Sequence, residues 1–310
     1  MISGITGQDG SYLAELLLGR GYEVHGVVRP GTDPARSHLA GVLAQLTLHR
    51  ANLTDHLAVM AVVEAVQPLE IYHLAAQTHV AQSELDPAGT LRQNVLGTLH
   101  ILEAVRRLKE PPRLFHASTA QIFGQPDRDP QNEQTPVRPA NPYGQSKALA
   151  TELVRTWRRE FGVFAVNGIL FNHESPRRGP EFATGKICRA AAAIRAGTQK
   201  ELVLGDISAR RDWGDAREFV DGFWRSLQAA QPDDYVFATG RLHSVEDLLG
   251  LAFGTLGLDW RAHVRSDSSL FRKAEATRMV GDPAKAAREL GWVPRKSFPD
   301  LIAEMVAAVS

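Results

Sequence analysis

Three glycines spaced three residues apart, in the run Gly4-Ile5-Thr6-Gly7-Gln8-Asp9-Gly10, constrain this chain more than any other feature. They lead at once into Ser11-Tyr12-Leu13-Ala14-Glu15-Leu16-Leu17, whose apolar residues recur at helical spacing. The first two glycines let the backbone turn tightly and approach an anion such as a pyrophosphate. The third lets a helix pack closely on a strand, and the helix N-terminus turns its unpaired N–H groups toward the anion. A glycine-rich turn with no ligand has the same local sequence, so the surrounding pattern decides its weight. Only Met1, Ile2 and Ser3 remain for the strand before the turn. Either that strand is unusually short or the numbered sequence lacks a few residues at its start.

The surrounding pattern is an alternation of short β-rich apolar runs with helical-period segments. Strands are predicted at 24–28, 46–49, 71–74, 114–117, 163–170 and 235–238, and helices at 11–19, 57–65, 98–109 and 146–161. That order predicts an α/β fold with a doubly wound parallel sheet of the Rossmann kind. From Ser175 onward Pro176, Gly179, Pro180 and Gly185 punctuate the chain before a helix rich in alanine and isoleucine at 187–196. A smaller α/β lobe is predicted there. Because 235–238 reads as a return to the sheet, the lobes are expected to interleave, with 1–172 and 211–240 in the first and 173–210 and 241–310 in the second.

Lys+Arg and Asp+Glu each number 35, so no broad field draws the protein toward nucleic acid or an anionic membrane, and a bound anion must be held by local groups. The one cysteine, Cys188, excludes an internal disulfide, has no cysteine partner for a zinc site, and is read as a buried thiol. No apolar run approaches the roughly 20 residues that span a bilayer, and no basic region followed by an apolar segment opens the chain. A cytoplasmic protein is expected. His73 and His79 have no third ligand in pattern and are read as polar packing, so no metal site is predicted.

At the end of the second predicted strand the sequence reads Val27-Val28-Arg29-Pro30. A guanidinium there suits a ribose 2′-phosphate, whereas an acidic residue would suit a free 2′-hydroxyl, so NADP is favoured over NAD. Standing alone, Arg29 would equally be a solvated surface cation. Asn52-Leu53 follows the third strand and Leu74-Ala75-Ala76 the fourth, at the carboxyl ends where ligands of open α/β sheets collect. The small alanines admit a cofactor or serve simple close packing.

Tyr143 and Lys147 stand four apart in Asn141-Pro142-Tyr143-Gly144-Gln145-Ser146-Lys147, at the head of a predicted helix, and so share one face. A free phenol, with a pKa of about 10, is a poor base at neutral pH. A nearby ammonium and a cationic ring would favour the phenolate. Together with the glycine turn and with Ser118-Thr119 closing the fifth strand, this constellation resembles the extended short-chain dehydrogenase/reductase family. The resemblance implies that Thr119 hydrogen-bonds a reacting hydroxyl, Tyr143 removes its proton, and Lys147 holds the nicotinamide ribose and tunes Tyr143. In related enzymes the helix bearing this pair packs on its copy in a second subunit, which implies a homodimer or tetramer.

Within that family the runs Gly4–Glu15, Phe164–Gly179, Arg211-Asp212-Trp213-Gly214 and Gly281-Asp282-Pro283 resemble the GDP-mannose 4,6-dehydratases. The resemblance implies a nucleotide-sugar substrate, a GDP-hexose for preference, with Asn172, Lys186, Arg211, Arg272 and Glu275 around its diphosphate and nucleoside. Three cations and an amide suit a diphosphate, and Glu275 would accept from ribose hydroxyls or guanine N–H groups. Taken singly, each has an ordinary surface ion-pair reading. One position departs. Those dehydratases carry Thr-Ser-Glu after the fifth strand, with the glutamate as the base at C5, and here the run is Thr119-Ala120-Gln121. A carboxamide does not titrate near neutrality, so Gln121 cannot be that base. The resemblance therefore implies an enzyme acting at C4 of the hexose, as a dehydratase or alternatively as a 4-epimerase or 4-keto reductase. A sensor that kept the binding fold without the chemistry is a third reading, against which the intact Thr119, Tyr143 and Lys147 weigh.

Overall fold

The computed structural model describes residues 1–270 and 278–310. Seven strands form the central sheet: β1 (Ile2–Ser3), β2 (Val24–Val28), β3 (Leu46–Arg50), β4 (Glu70–His73), β5 (Arg113–Ala117), β6 (Ala165–Leu170) and β7 (Asp234–Phe237). They run parallel in the order β7-β6-β5-β4-β1-β2-β3. The chain winds outward from β1 in one direction and then from β4 in the other. A crevice therefore opens at the carboxyl ends of β1 and β4, where ligands of such sheets bind.

The first strand spans two residues, Ile2 and Ser3. Its ladder is lengthened by Met1, whose carbonyl accepts from the Tyr72 N–H at 2.9 Å and whose amino group donates to the Glu70 carbonyl at 2.7 Å. Two helices begin earlier than the apolar periodicity indicates, because their first turns are polar. Gln8–Gly19 starts directly after Gly7, whose extended backbone serves as N-cap. Pro142–Phe161 starts where the Asn141 side chain accepts from the Gly144 N–H at 2.8 Å, with proline in the first turn, where no N–H is missed. The early starts place Gly10, Tyr143 and Lys147 inside their helices.

The sheet is covered on both faces. Gln8–Gly19 and Ala216–Gln228 pack on one face around Phe115, Phe223, Phe237 and Trp292, with the Phe115 and Phe223 rings stacked at 4.4 Å. His56–Val66, Gly97–Arg107 and Pro142–Phe161 bury Val59, Val63, Ile101, Leu102 and Val154 on the other. Each such side chain contributes on the order of 1.5–3 kcal/mol by leaving water. A separate core gathers Ala183–Arg195, Val245–Thr255 and Phe298–Ala307 around Leu202, Leu204 and Trp213, which stacks on Phe298 at 5.3 Å. It joins the sheet through the short parallel pair Asn172–Glu174 and Trp213–Asp215. Among the described residues no helix is long and apolar enough to cross a membrane.

Candidate active site

The glycine turn is shaped by contacts on two sides. A Cβ on Gly10 would lie 2.3 Å from the Gly4 carbonyl oxygen and 2.6 Å from Ile5 Cα, so only glycine lets the helix sit this close to the strand end. Gly4 has φ +75°, and a Cβ there would meet the Ala75 backbone nitrogen at 2.8 Å. Gly7 is exposed, and a Cβ on it would meet nothing nearer than 3.4 Å. The turn is thus closed toward the protein and open at Gly7, at the N-terminus of a twelve-residue helix, which is the arrangement a pyrophosphate requires.

Beside it lies a cavity of about 440 Å³ whose lining includes Asp9, Thr119, Gln121, Tyr143, Lys147 and His173. Tyr143 and Lys147 share the inner face of helix Pro142–Phe161, and Thr119 is the N-cap of the single turn Ala120–Phe123. A Cβ on Gly144 would lie 2.6 Å from the Gln121 carbonyl, so glycine there brings the helix against that turn. The helix is held further by the Tyr143 N–H donating to Ser83 Oγ at 3.1 Å. On its other side Asn94 Nδ2 donates to Ser146 Oγ at 2.9 Å and to the Gln77 carbonyl at 3.0 Å. Asn94 and Ser83 are buried and escaped the sequence reading, because nothing local in the sequence marks a side chain that ties a strand-end loop to a distant helix.

In the free site burial dominates the electrostatics of Tyr143 and Lys147. Burial pushes the Tyr143 phenol up to about 12, against the hydrogen bond from Thr119 and the positive charge of Arg178, which favour the phenolate. Lys147 donates to the Ala117 carbonyl at 2.7 Å, and burial lowers its ammonium to about 8. Desolvation outweighs the neighbouring charges because both groups are at least nine-tenths shielded from water.

A largely buried ion pair lines the site. His173 Nδ1 faces the Phe171 carbonyl at 2.8 Å and Nε2 faces Asp9 Oδ2 at 2.8 Å. With the carboxylate ionised both partners only accept, so both ring nitrogens carry protons. Burial opposes the charge on His173, but Asp9 outweighs it and holds the imidazole above its ordinary range. Asp9 is held below its own ordinary range, with His173 overcoming the cost of burial. Gln8 joins this link, with Nε2 donating to the His173 carbonyl at 3.1 Å and Oε1 accepting from Ser175 Oγ at 2.8 Å. Deeper still, Glu174 Oε2 accepts from Thr184 Oγ1 at 2.5 Å and lies 2.9 Å from Arg178 Nε, whose guanidinium covers the Phe182 ring at 3.6 Å.

Of the residues singled out in the sequence, Asp9, Leu74, Ala76, Thr119, Gln121, Tyr143, Lys147, Asn172 and Arg211 meet in this one cavity. Thr6 and Gln8 are half-buried in the turn, and Ala75 lies against Gly4. Arg29 and Asn52 are exposed at the ends of β2 and β3, and the Leu53 carbonyl accepts from His100 Nδ1 at 2.8 Å. Lys186 is exposed outside the cavity lining, its ammonium on the Val203 carbonyl at 3.0 Å. Arg272 and Glu275 lie outside the described residues, although Leu270 and Met279 on either side line the cavity. His73 has both ring nitrogens taken up, at 2.8 Å to Ser3 Oγ and 3.1 Å to Thr98 Oγ1.

Residues 1–305 match the family model for GDP-mannose 4,6 dehydratase. GDP-mannose 4,6 dehydratase 2 of Caenorhabditis elegans is 42% identical over 99% of this chain and 88% of its own length. The GDP-mannose 4,6-dehydratase of Sinorhizobium fredii is 42% identical over 99% and 95%. Among solved structures, the dTDP-glucose 4,6-dehydratase of Streptomyces venezuelae with NAD bound superimposes with a TM-score of 0.87 at 26% identity, covering 99% of this chain and 95% of that one. The UDP-glucose 4-epimerase of Thermus thermophilus with NAD gives 0.87 at 25% identity, over 99% and 97%.

Proposed function

The chain belongs to the GDP-mannose 4,6-dehydratase family, and from that premise we propose that it oxidises and re-reduces C4 of the hexose in a nucleotide-sugar, a GDP-hexose for preference, with Tyr143 as the proton-transferring group. The observation that carries this reading is the meeting of Thr119, Tyr143 and Lys147 in one cavity beside a glycine turn open at Gly7. When bound, a nicotinamide dinucleotide supplies the two-electron oxidation and its reversal. The open turn and the helix N-terminus fit its pyrophosphate, and Lys147, on the cavity wall, fits its nicotinamide ribose. Exposed Arg29 at the end of β2 favours the 2′-phosphate of NADP over NAD.

The chain's own residues then handle one proton. The Thr119 hydroxyl positions the sugar hydroxyl, and the Tyr143 oxygen receives its proton and returns it. In the free site Tyr143 is almost wholly protonated, so positive charge must arrive with the ligands before the phenolate is populated. Asn172 and Arg211 on the cavity wall take the diphosphate, with Lys186, Arg272 and Glu275 completing the nucleotide site in residues 173–210 and 241–310. The alternative of a 4-epimerase or 4-keto reductase is favoured by the amide of Gln121 in the place of a titratable group.

Leu149 and Phe161, about half exposed on helix Pro142–Phe161, leave apolar surface for a homodimer, with a tetramer as a further step. A cytoplasmic setting suits Cys188, whose thiol burial raises to about 12. The test of the catalytic assignment is Tyr143→Phe. Followed by NMR with GDP-mannose and NADP, it lowers turnover by roughly 10²–10⁴-fold while NADP still binds. A variant that turns over at the parent rate removes the mechanism.

A further inference from the structure

The orientation of one amide restricts what the site can do to a sugar. The Gly144 N–H donates to Asn141 Oδ1 at 2.8 Å, so Asn141 turns its Nδ2 outward. That nitrogen only donates, and it lies 3.2 Å from Gln121, so the Gln121 atom facing it is the carbonyl Oε1. The helix cap thereby fixes the flip of a side chain on a different element. Gln121 Nε2 is left pointing at Met279, with the sulfur at 3.6 Å, and both residues line the cavity. A thioether is a weak acceptor, so among the described residues this donor has no strong partner in the wall. The backbone N–H of Gln121 also donates to Thr119 Oγ1 at 3.3 Å, which binds the amide and the proposed sugar-contacting hydroxyl into one turn.

Three of the other carboxylates at the cavity are engaged, while Glu181 and His79 also line it. Asp9 is paired with His173. Glu174 has one oxygen taken by Thr184, in the first turn of helix Ala183–Arg195, and by Arg178, and Asp206 accepts from Ser208 N and Oγ at 2.8 and 2.6 Å.

Resting on the function proposed above, we propose that Gln121 is a specificity-determining donor: its NH₂ holds a hydroxyl oxygen of the hexose beside the reacting carbon, and the reaction ends at C4 with the C6 oxygen retained. An elimination across C5–C6 needs an acceptor for the C5 proton, and Gln121 turns a donor into the cavity. The balance of the C4 step is complete without it. The C4 hydroxyl proton passes to the Tyr143 oxygen, the C4–H bond yields its two electrons and proton to the bound nicotinamide dinucleotide, and both return to C4 in the reverse direction.

Two measurements test this. The first needs no turnover: the affinities of GDP-mannose and GDP for the protein and for Gln121→Ala and Gln121→Glu, by calorimetry. Loss of one hydrogen bond to a sugar oxygen weakens GDP-mannose roughly tenfold in both variants and leaves GDP unchanged. Equal GDP-mannose affinity in all three proteins overturns the proposal, and unchanged GDP binding shows that the variants fold. The second is mass spectrometry and NMR of the sugar after incubation with GDP-mannose and NADP in D₂O. The expected product has the substrate's composition and no deuterium at C5. A product lighter by one water, with deuterium at C5, overturns the inference yet leaves C4 oxidation by Tyr143 standing. No nicotinamide reduction together with GDP-mannose bound no more tightly than GDP counts against both.

Discussion

Replacing Gly7 and Gly10 separately with alanine distinguishes a ligand-binding turn from a packing device, because the two glycines face opposite surroundings. Gly7 has φ −75° and ψ 176°, a conformation alanine adopts without strain, and its new methyl would have its nearest neighbour at 3.4 Å, an ordinary contact. The Gly7→Ala protein should unfold within about 0.5 kcal/mol of the parent. Its methyl, however, projects into the space through which a pyrophosphate must approach the helix N-terminus. Weakening one charge-assisted bond there, worth about 1.5–3 kcal/mol, raises the NADP dissociation constant roughly ten- to a hundredfold. Gly10→Ala places a methyl 2.3 Å from a carbonyl oxygen and 2.6 Å from a Cα, both backbone atoms that cannot rotate away. Separating the helix from the strand should cost at least about 3 kcal/mol, a fall in Tm of roughly 6–12 °C. Thermal melts and NADP titrations of the two variants give the comparison. If Gly7→Ala binds NADP as tightly as the parent, the turn is a packing device and the cofactor site has been misplaced.

Arg29→Ala should weaken NADP roughly tenfold and leave NAD nearly unchanged, as read from the two dissociation constants; a parallel loss of both would deny Arg29 its 2′-phosphate role. The His173–Asp9 pair gives a pH dependence. His173 is raised above its ordinary 6.5, so its stabilisation is complete below that value and fades as pH climbs through the raised one. Asp9 is lowered below its ordinary 3.8, so its share is complete above that value and fades as pH falls through the lowered one. The Tm deficit of His173→Gln should therefore be largest between about pH 4 and 6.5 and shrink at alkaline pH; a deficit that grows on going alkaline reverses the assignment. Leu149→Asp with Phe161→Asp should shift sedimentation from dimer to monomer, and an unchanged profile would place any interface elsewhere.

The sheet was legible because buried parallel strands are short apolar runs and their covering helices repeat at helical spacing; β2 fell on its predicted residues. Helix starts were less legible where the first turn is polar, as at Gln8 and Pro142, since periodicity is silent there and only the caps speak. The spacing of Tyr143 and Lys147 disclosed their shared face. It did not disclose that burial would drive the phenol up, because desolvation depends on what covers a group from elements far away in sequence. The flip of Gln121 was illegible for the same reason: it passes through Asn141 from the backbone of Gly144.

The ties between the first helix and residues 173–177 limit how this protein can be recombined. Gln8 and Asp9 reach His173 and Ser175, and Arg177 donates to Ser11 Oγ at 2.9 Å and to Glu15 at 2.5 Å while lying over the Tyr12 ring at 3.9 Å. Segments more than 160 residues apart in the chain are thus mortised together. A chimera that grafts a relative's segment equivalent to residues 173–210 onto this sheet would have to import the matching helix start as well, or leave the Asp9 carboxylate without its cationic partner in the joint.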